Sequence, residues 1–251
     1  GVDPGNVLVD GSGSTWAVGG SLYVGGSNTG SGGHGDLTVQ NRGTVTVNNT
    51  LKIWSTGDFQ LSSGTTTCRS FDNSHGGTFN HDGGTLTVEG GAFLPGAGGY
   101  AIDGGGNPTV NMAGATAAIG GTVRVGEDDD GTLRITGGSV VNNTGGVIGV
   151  ESGSQGVVVV DGPGTTWTNN GDLGVGDAGR GTLRVINGGA IESASGTIGA
   201  VSGAEGTVTI RGDGSTWTNQ GNLTVGDGGT GRLLILDGGL VAVEGTLTIG
   251  G

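Results

Sequence analysis

The sequence predicts an all-β chain folded as a single parallel β-solenoid, and three observations predict it. The first is a recurring stretch: Val9-Asp10-Gly11-Ser12-Gly13-Ser14-Thr15-Trp16 is matched by Val160-Asp161-Gly162-Pro163-Gly164-Thr165-Thr166-Trp167 and by Ile210-Arg211-Gly212-Asp213-Gly214-Ser215-Thr216-Trp217, the last two tryptophans lying 50 residues apart. The second is an apolar-Gly signature that closes short runs at Gly126, Gly149, Gly176, Gly199, Gly226 and Gly250, in steps of 23, 27, 23, 27 and 24 residues. Each 50-residue unit therefore holds two halves of about 25 residues, a period that marks stacked-repeat folds. The third is period-two alternation. Gly131-Thr132-Leu133-Arg134-Ile135, Gly181-Thr182-Leu183-Arg184-Val185, Gly206-Thr207-Val208-Thr209-Ile210 and Gly245-Thr246-Leu247-Thr248-Ile249 place apolar and polar side chains on opposite faces.

These runs are about five residues long and bounded by Gly, Asn or Asp, which tolerate turns and left-handed backbone. No window carries a 3.6-residue apolar pattern, so no helix longer than one turn is expected. Short strands at this spacing also suit a sandwich or barrel. The 25-residue period decides for the solenoid, because three short strands and three turns fill one coil of that length. About ten coils at about 4.8 Å each make a rod of about 48 Å. Leu133, Ile135, Leu183, Val185, Val208, Ile210, Leu223, Val225, Leu247 and Ile249 are predicted to face inward.

Along the chain, Asn6-Val7-Leu8-Val9-Asp10 is a typical coil segment, and the repeat is most regular over 122–251. Residues 26–121 carry irregular insertions, such as Gly26 to His34, which are expected to bulge at turns. Ala117 takes the tryptophan position, nine residues before Gly126. No linker is visible, so residues 1–251 are read as one domain.

Composition narrows the function classes. There are 64 glycines, only 12% charged residues and 4% aromatics, which suits a narrow core of stacked Val, Ile and Leu. The net charge of −13, with Lys52 the one lysine beside eight arginines, argues against nucleic acid and against a polybasic membrane contact. No apolar run approaches the length of a membrane span, so no membrane insertion is expected. Cys68 is the one cysteine, which excludes an intrachain disulfide. The chain opens Gly1-Val2-Asp3-Pro4 without Met, read as a mature form whose leader was removed. An extracellular or cell-surface location by bacterial-type secretion follows as the expectation.

Candidate sites are few. Trp16, Trp167 and Trp217 are read as structural corners, with each indole covering the end of the apolar channel and its N–H meeting a carbonyl. Asn169 and Asn219 follow two of them, and amides at equivalent positions stack along a solenoid. The acidic turns Glu127-Asp128-Asp129-Asp130, Asp177 and Asp227 form a candidate calcium set, with carboxylates on one turn of alternate coils and carbonyls between; calcium is the one cofactor considered. Cys68, Asp72, His75, His81 and Asp82 fit no compact zinc motif. Arg124, Arg134, Arg184, Arg211 and Arg232 are scattered, and no nucleophile or phosphate-loop motif is present, so no catalytic residues are assigned. Thr207-x-Thr209 and Thr246-x-Thr248 are interrupted by Thr132-x-Arg134 and Thr182-x-Arg184, so a regular threonine face is not expected. Asn48, Asn142 and Asn222 begin glycosylation sequons.

The pattern Gly-Ser-Thr-Trp-Thr-Asn, Gly-Asn-Leu-Thr-Val-Gly and Gly-Arg-Leu-Leu-Ile-Leu-Asp-Gly-Gly across 214–239 resembles the repeats of bacterial autotransporter passenger domains and related secreted repeat proteins. The resemblance covers 126–251 and 9–25 well and the middle poorly. It implies an exported β-solenoid with an adhesion, biofilm or surface-layer role, and it carries over no catalytic residue.

The repeat phase runs on from the last residue to the first, because joining Gly251 to another Gly1 would put Gly250 17 residues before Trp16, against 18 from Gly149 to Trp167 and from Gly199 to Trp217. This predicts a non-enzymatic structural subunit of an extracellular fibre, sheath or surface assembly, stacking head to tail on copies of itself through Val7, Leu8, Val9, Leu247 and Ile249. Asp3 and Asp10 are expected outside the joint. A slice of a longer chain is the other account of the ends. The alternative function is an adhesin or carbohydrate-binding passenger domain of a larger secreted protein, with surface glycans as partners and exposed aromatics among Trp54, Phe59, Phe71, Phe79 and Tyr100.

Overall fold

The structure, a computed structural model, describes residues 5–251, and Asp3 lies outside that range. Within it the chain forms 29 short strands and no helix. All strand pairings between them are parallel, each strand pairing with its counterpart one coil away. The result is a three-faced β-solenoid.

The second face is unbroken. Its pairings run Thr15–Thr44, Thr44–Thr65, Thr65–Thr85, Thr85–Thr109 and Thr109–Thr132, steps of 29, 21, 20, 24 and 23 residues. They continue Thr132–Val157, Val157–Thr182, Thr182–Thr207 and Thr207–Arg232, four steps of 25. Ten layers are thus joined by nine turns of about 24 residues. The same registers align Thr15, Thr44, Thr65, Thr85, Thr109 and Thr132 in one outward column, with Thr46, Thr67 and Thr87 beside it. A regular threonine patch therefore exists, contrary to expectation. It lies in the region whose repeat looked degraded, and cross-strand threonine pairs of this kind stabilise a sheet.

The apolar-Gly signature has a backbone cause. Gly126, Gly149, Gly176, Gly199, Gly226 and Gly250 take φ between 68° and 75° where the chain leaves the first face, and Gly25, at 73°, takes the same conformation one face earlier, between the third face and the first. A Cβ on Gly149 would lie 2.3 Å from the Arg180 carbonyl oxygen, so the corner needs glycine for both conformation and clearance.

Inside, Leu133, Ile135, Leu183, Val185, Val208, Ile210, Leu223 and Val225 are buried, as the alternation predicts. Leu247 and Ile249 keep the inward phase, stacked on Leu223 and Val225, but are 50% and 77% exposed because no described coil covers them.

A second expectation fails here. Trp16 is not equivalent to Trp167 and Trp217. It stacks on Val45 in the central column of the second face, which continues through Thr66, Leu86 and Val110 to Leu133. Trp167 stacks between Val141 and Ile191 on the third face, in the column that carries Ala117 and, further on, Trp217. The cause lies between Gly77 and Val88. Gly77-Thr78-Phe79-Asn80-His81 and Gly84-Thr85-Leu86-Thr87-Val88 carry the same pattern, yet form successive strands of one coil, Thr78–His81 and Gly83–Glu89. The sequence pattern advances by one face there.

The slip leaves a mark on the first face. Its strands pair from Gly5–Asp10 to Thr78–His81, stop, and resume from Tyr100–Ile102 to Leu247–Ile249. Large rings fill the interior near this break: Phe79 packs on Phe59 and Phe71 at 5.0 and 4.8 Å, and Phe93 on Phe71 and Tyr100 at 5.6 and 5.3 Å.

Candidate functional surfaces: the axial ends, the buried ladder and the acidic turns

The apolar side chains that remain exposed gather at the two ends of the rod. Val7 at one end and Ile235, Leu247 and Ile249 at the other are in inward phase yet 39–77% exposed, whereas Leu8, Leu236 and Leu240 lie in the end coils but point sideways, in register with Thr38, Arg211 and Thr216. Among the described residues, Val140 and Val201 are the comparably exposed large aliphatics on the flanks away from the end coils. Val9, expected at the joint, turns into the core and is buried. Asp10 stays outside and accepts a hydrogen bond from Asn41 Nδ2 at 2.7 Å.

The tryptophans sit in strands, not at corners. Trp167 and Trp217 are fully buried in the core, and Trp16 packs against it partly buried. The N–H groups of Trp167 and Trp217 meet side chains of the preceding coil: Trp167 Nε1 donates to the amide carbonyl oxygen Asn143 Oδ1 at 2.6 Å, as expected, and Trp217 Nε1 to the hydroxyl Ser193 Oγ at 3.1 Å in place of a carbonyl. The expected amide ladder reduces to two separate links, Asn143 Nδ2 donating to Asn169 Oδ1 at 2.7 Å and Ser193 Oγ to Asn219 Oδ1 at 2.9 Å, and the Nδ2 groups of Asn169 and Asn219 find no partner among the described residues. Asn143 and Ser193 went unremarked in the sequence, although each lies 24 residues, one coil, before its tryptophan.

The acidic turns do not assemble into a ligand set. Glu127, Asp128 and Asp129 turn their backbone N–H groups to Asp103 Oδ1, at 2.7, 3.1 and 2.9 Å. Glu127 also pairs with Arg124 at 3.3 Å. Among the described residues, the carboxylates of Glu127, Asp128, Asp129, Asp130, Asp177 and Asp227 do not form a group of three within 4.8 Å.

The Cys68 to Asp82 set is likewise dispersed. Cys68 is buried, and burial pushes its thiol up to about 12. Asp72 binds Lys52 at 2.8 Å, and the lysine and Ser74 contacts hold its carboxyl below the ordinary range against the opposing effect of burial. His75 packs edge-on against Trp54 at 4.5 Å. Burial holds His81 neutral, down to about 4. Phe59 and Phe71 are fully buried, Phe79 and Tyr100 pack against the core, and Trp54 is half-buried under Lys52 at 4.2 Å. Arg134 and Arg184 point outward as expected, while Arg180 and Arg211 pair with Glu205 and Asp237 at 3.1 and 2.7 Å. Among the described residues, no helix is long and apolar enough to cross a membrane.

Comparison with family models, curated proteins and solved structures gives no match to this chain.

Proposed function

We propose that this chain is a non-enzymatic structural subunit of an extracellular fibre, sheath or surface assembly, stacking head to tail through its solenoid ends. The observation that carries this reading is the gathering of exposed aliphatic side chains at the two axial ends. Among the described residues, the first and last layers are paired on one side only, and such an edge pairs with another of its kind. The two ends differ, so their contact is head-to-tail and builds an open filament.

Sequence phase sets the joint. Val9-Asp10-Gly11 matches Ile210-Arg211-Gly212, whose strand lies on the second face, while Gly5–Asp10 lies on the first. Seating Gly5–Asp10 on Thr230–Leu236 of another copy continues the pattern and rotates that copy by one of the three faces. Each subunit then advances the rod by about ten coils and one strand, about 50 Å.

The resemblance to autotransporter passengers supports secretion to the cell surface as the setting. The adhesin reading needs a groove of exposed rings, and the inward packing of Phe59, Phe71, Phe79 and Tyr100 counts against it. The pairing of Arg180 and Arg211 with carboxylates counts in the same way against a polysaccharide-cleaving face.

Light scattering across a concentration series tests this reading. The wild-type chain is expected to lengthen with concentration, and Leu247→Asp with Ile249→Asp to stay monomeric. Equal behaviour of the two chains would remove the proposal.

A further inference from the structure

We propose that His34, Asp36 and Asp58 form a binding site for a zinc-class divalent cation on the first face of the solenoid. His34 ends the insertion between the strands Leu22–Val24 and Gly35–Gln40. Asp36 is the second residue of Gly35–Gln40, and Asp58 the second of Gly57–Leu61. Parallel pairing puts Asp36 directly over Asp58. Both project outward, because the next residues, Leu37 and Phe59, are buried.

Stacking two carboxylates in adjacent strands is unfavourable unless a cation stands between them. Among the described residues, the basic group found beside this pair is His34. Its Nε2 lies 3.1 Å from Asp36 Oδ1 and 3.5 Å from Asp58 Oδ2. These separations exceed the 2.7–2.9 Å or so of a charge-assisted N–H···O bond. They bracket the edge of about 3.3 Å between ligand atoms of a tetrahedral ion with bonds of about 2.0–2.1 Å.

The other ring nitrogen supplies a second, independent argument. His34 Nδ1 lies 2.9 Å from the Thr56 carbonyl oxygen, which can only accept, so Nδ1 carries the proton. The lone pair of neutral His34 is then on Nε2, the atom that faces the two carboxylates. A backbone carbonyl that fixes the tautomer is the usual outer support of a metal-bound imidazole. The support is itself held, since Thr56 Oγ1 donates to the Gly25 carbonyl at 2.5 Å. Close packing fixes the strand under it: a Cβ on Gly57 would lie 2.3 Å from the Val24 carbonyl oxygen.

One imidazole and two carboxylates suit zinc, cobalt or nickel better than calcium or magnesium, which take oxygen sets. Three protein ligands leave a fourth position for water or an incoming group.

The test uses the metal-stripped 251-residue chain, titrated with Co²⁺ by visible absorption and with Zn²⁺ by calorimetry. One equivalent is expected to bind. His34→Ala and Asp58→Asn are expected to weaken binding at least about tenfold, the scale seen even for outer-shell losses. His34→Lys keeps a cation between the carboxylates and is expected to lose the metal too. Circular dichroism checks that each variant keeps its β signal, and Asp36→Asn stands in for any that does not. A wild-type chain that takes up no stoichiometric metal, or variants that bind as well as wild type, would overturn the proposal and leave His34 as an ion-pair partner only. Binding lost in Asp128→Asn with Asp129→Asn but kept in His34→Ala would overturn it as well.

Discussion

Trp167 donates its indole N–H to Asn143 Oδ1 of the coil before it at 2.6 Å, with both side chains at most 1% exposed. The same amide donates onward to Asn169 and to the Gly145 carbonyl. One buried side chain thus satisfies an indole, ties two coils and braces its own turn. Asn143→Ala leaves the indole N–H and a carbonyl without partners, at a cost of about 1–3 kcal/mol for each buried group so orphaned. Urea unfolding should show a loss of at least about 2 kcal/mol. Trp167→Phe in the Asn143→Ala background should cost less than in wild type, because the indole's hydrogen bond is already lost and the substitution removes the orphaned N–H.

Thr66 is the opposite case. It is fully buried between Val45 and Leu86, and its hydroxyl has no partner. Thr66→Val keeps the shape and removes the unpaired group, so it should stabilise the rod by about 1 kcal/mol, read as a higher urea midpoint at unchanged slope.

His81 should make stability fall in mild acid. Burial lowers its pKa from 6.5 to about 4, with the Gly84 carbonyl contact acting weakly the other way. Between those values the unfolded chain holds a proton that the folded chain lacks, so stability drops as pH falls through that window. The full effect is about 3 kcal/mol. His81→Phe, packed on Phe79, should remove this part of the slope between pH 6.5 and 4. A variant with an unchanged slope would contradict the assignment.

The buried Cys68 thiol should resist reagents that attack thiolates. Burial raises it to about 12, so a native chain at neutral pH holds almost no thiolate there. Labelling by a disulfide reagent should be complete in denaturant and slower by orders of magnitude in native buffer.

How much of this was legible depended on whether a signal was local. The inward phase of Leu183 and Val185 follows from period two alone, and so does the outward Arg184. The solenoid followed from the step between glycines, since the φ of about 70° at Gly126 or Gly149 leaves its mark on the residue type. Trp16 was misplaced because the one-face slip happens between two strands of identical pattern, around Phe79 and Leu86, which leaves no break to read. His34, Asp36 and Asp58 escaped notice because the two carboxylates meet only through a 22-residue step in the irregular region. Asp103 was missed for a similar reason, as its three contacts lie one coil ahead.

The central claim is that coils stack across the joint between copies, and cryo-electron microscopy of the concentrated chain tests it most directly. The account predicts filaments with strands about 4.8 Å apart along the axis, a subunit advance of about 50 Å, and successive copies turned by one face, so that Gly5–Asp10 of one seats on Thr230–Leu236 of another. Single rods about 50 Å long with both ends free at every concentration would contradict it.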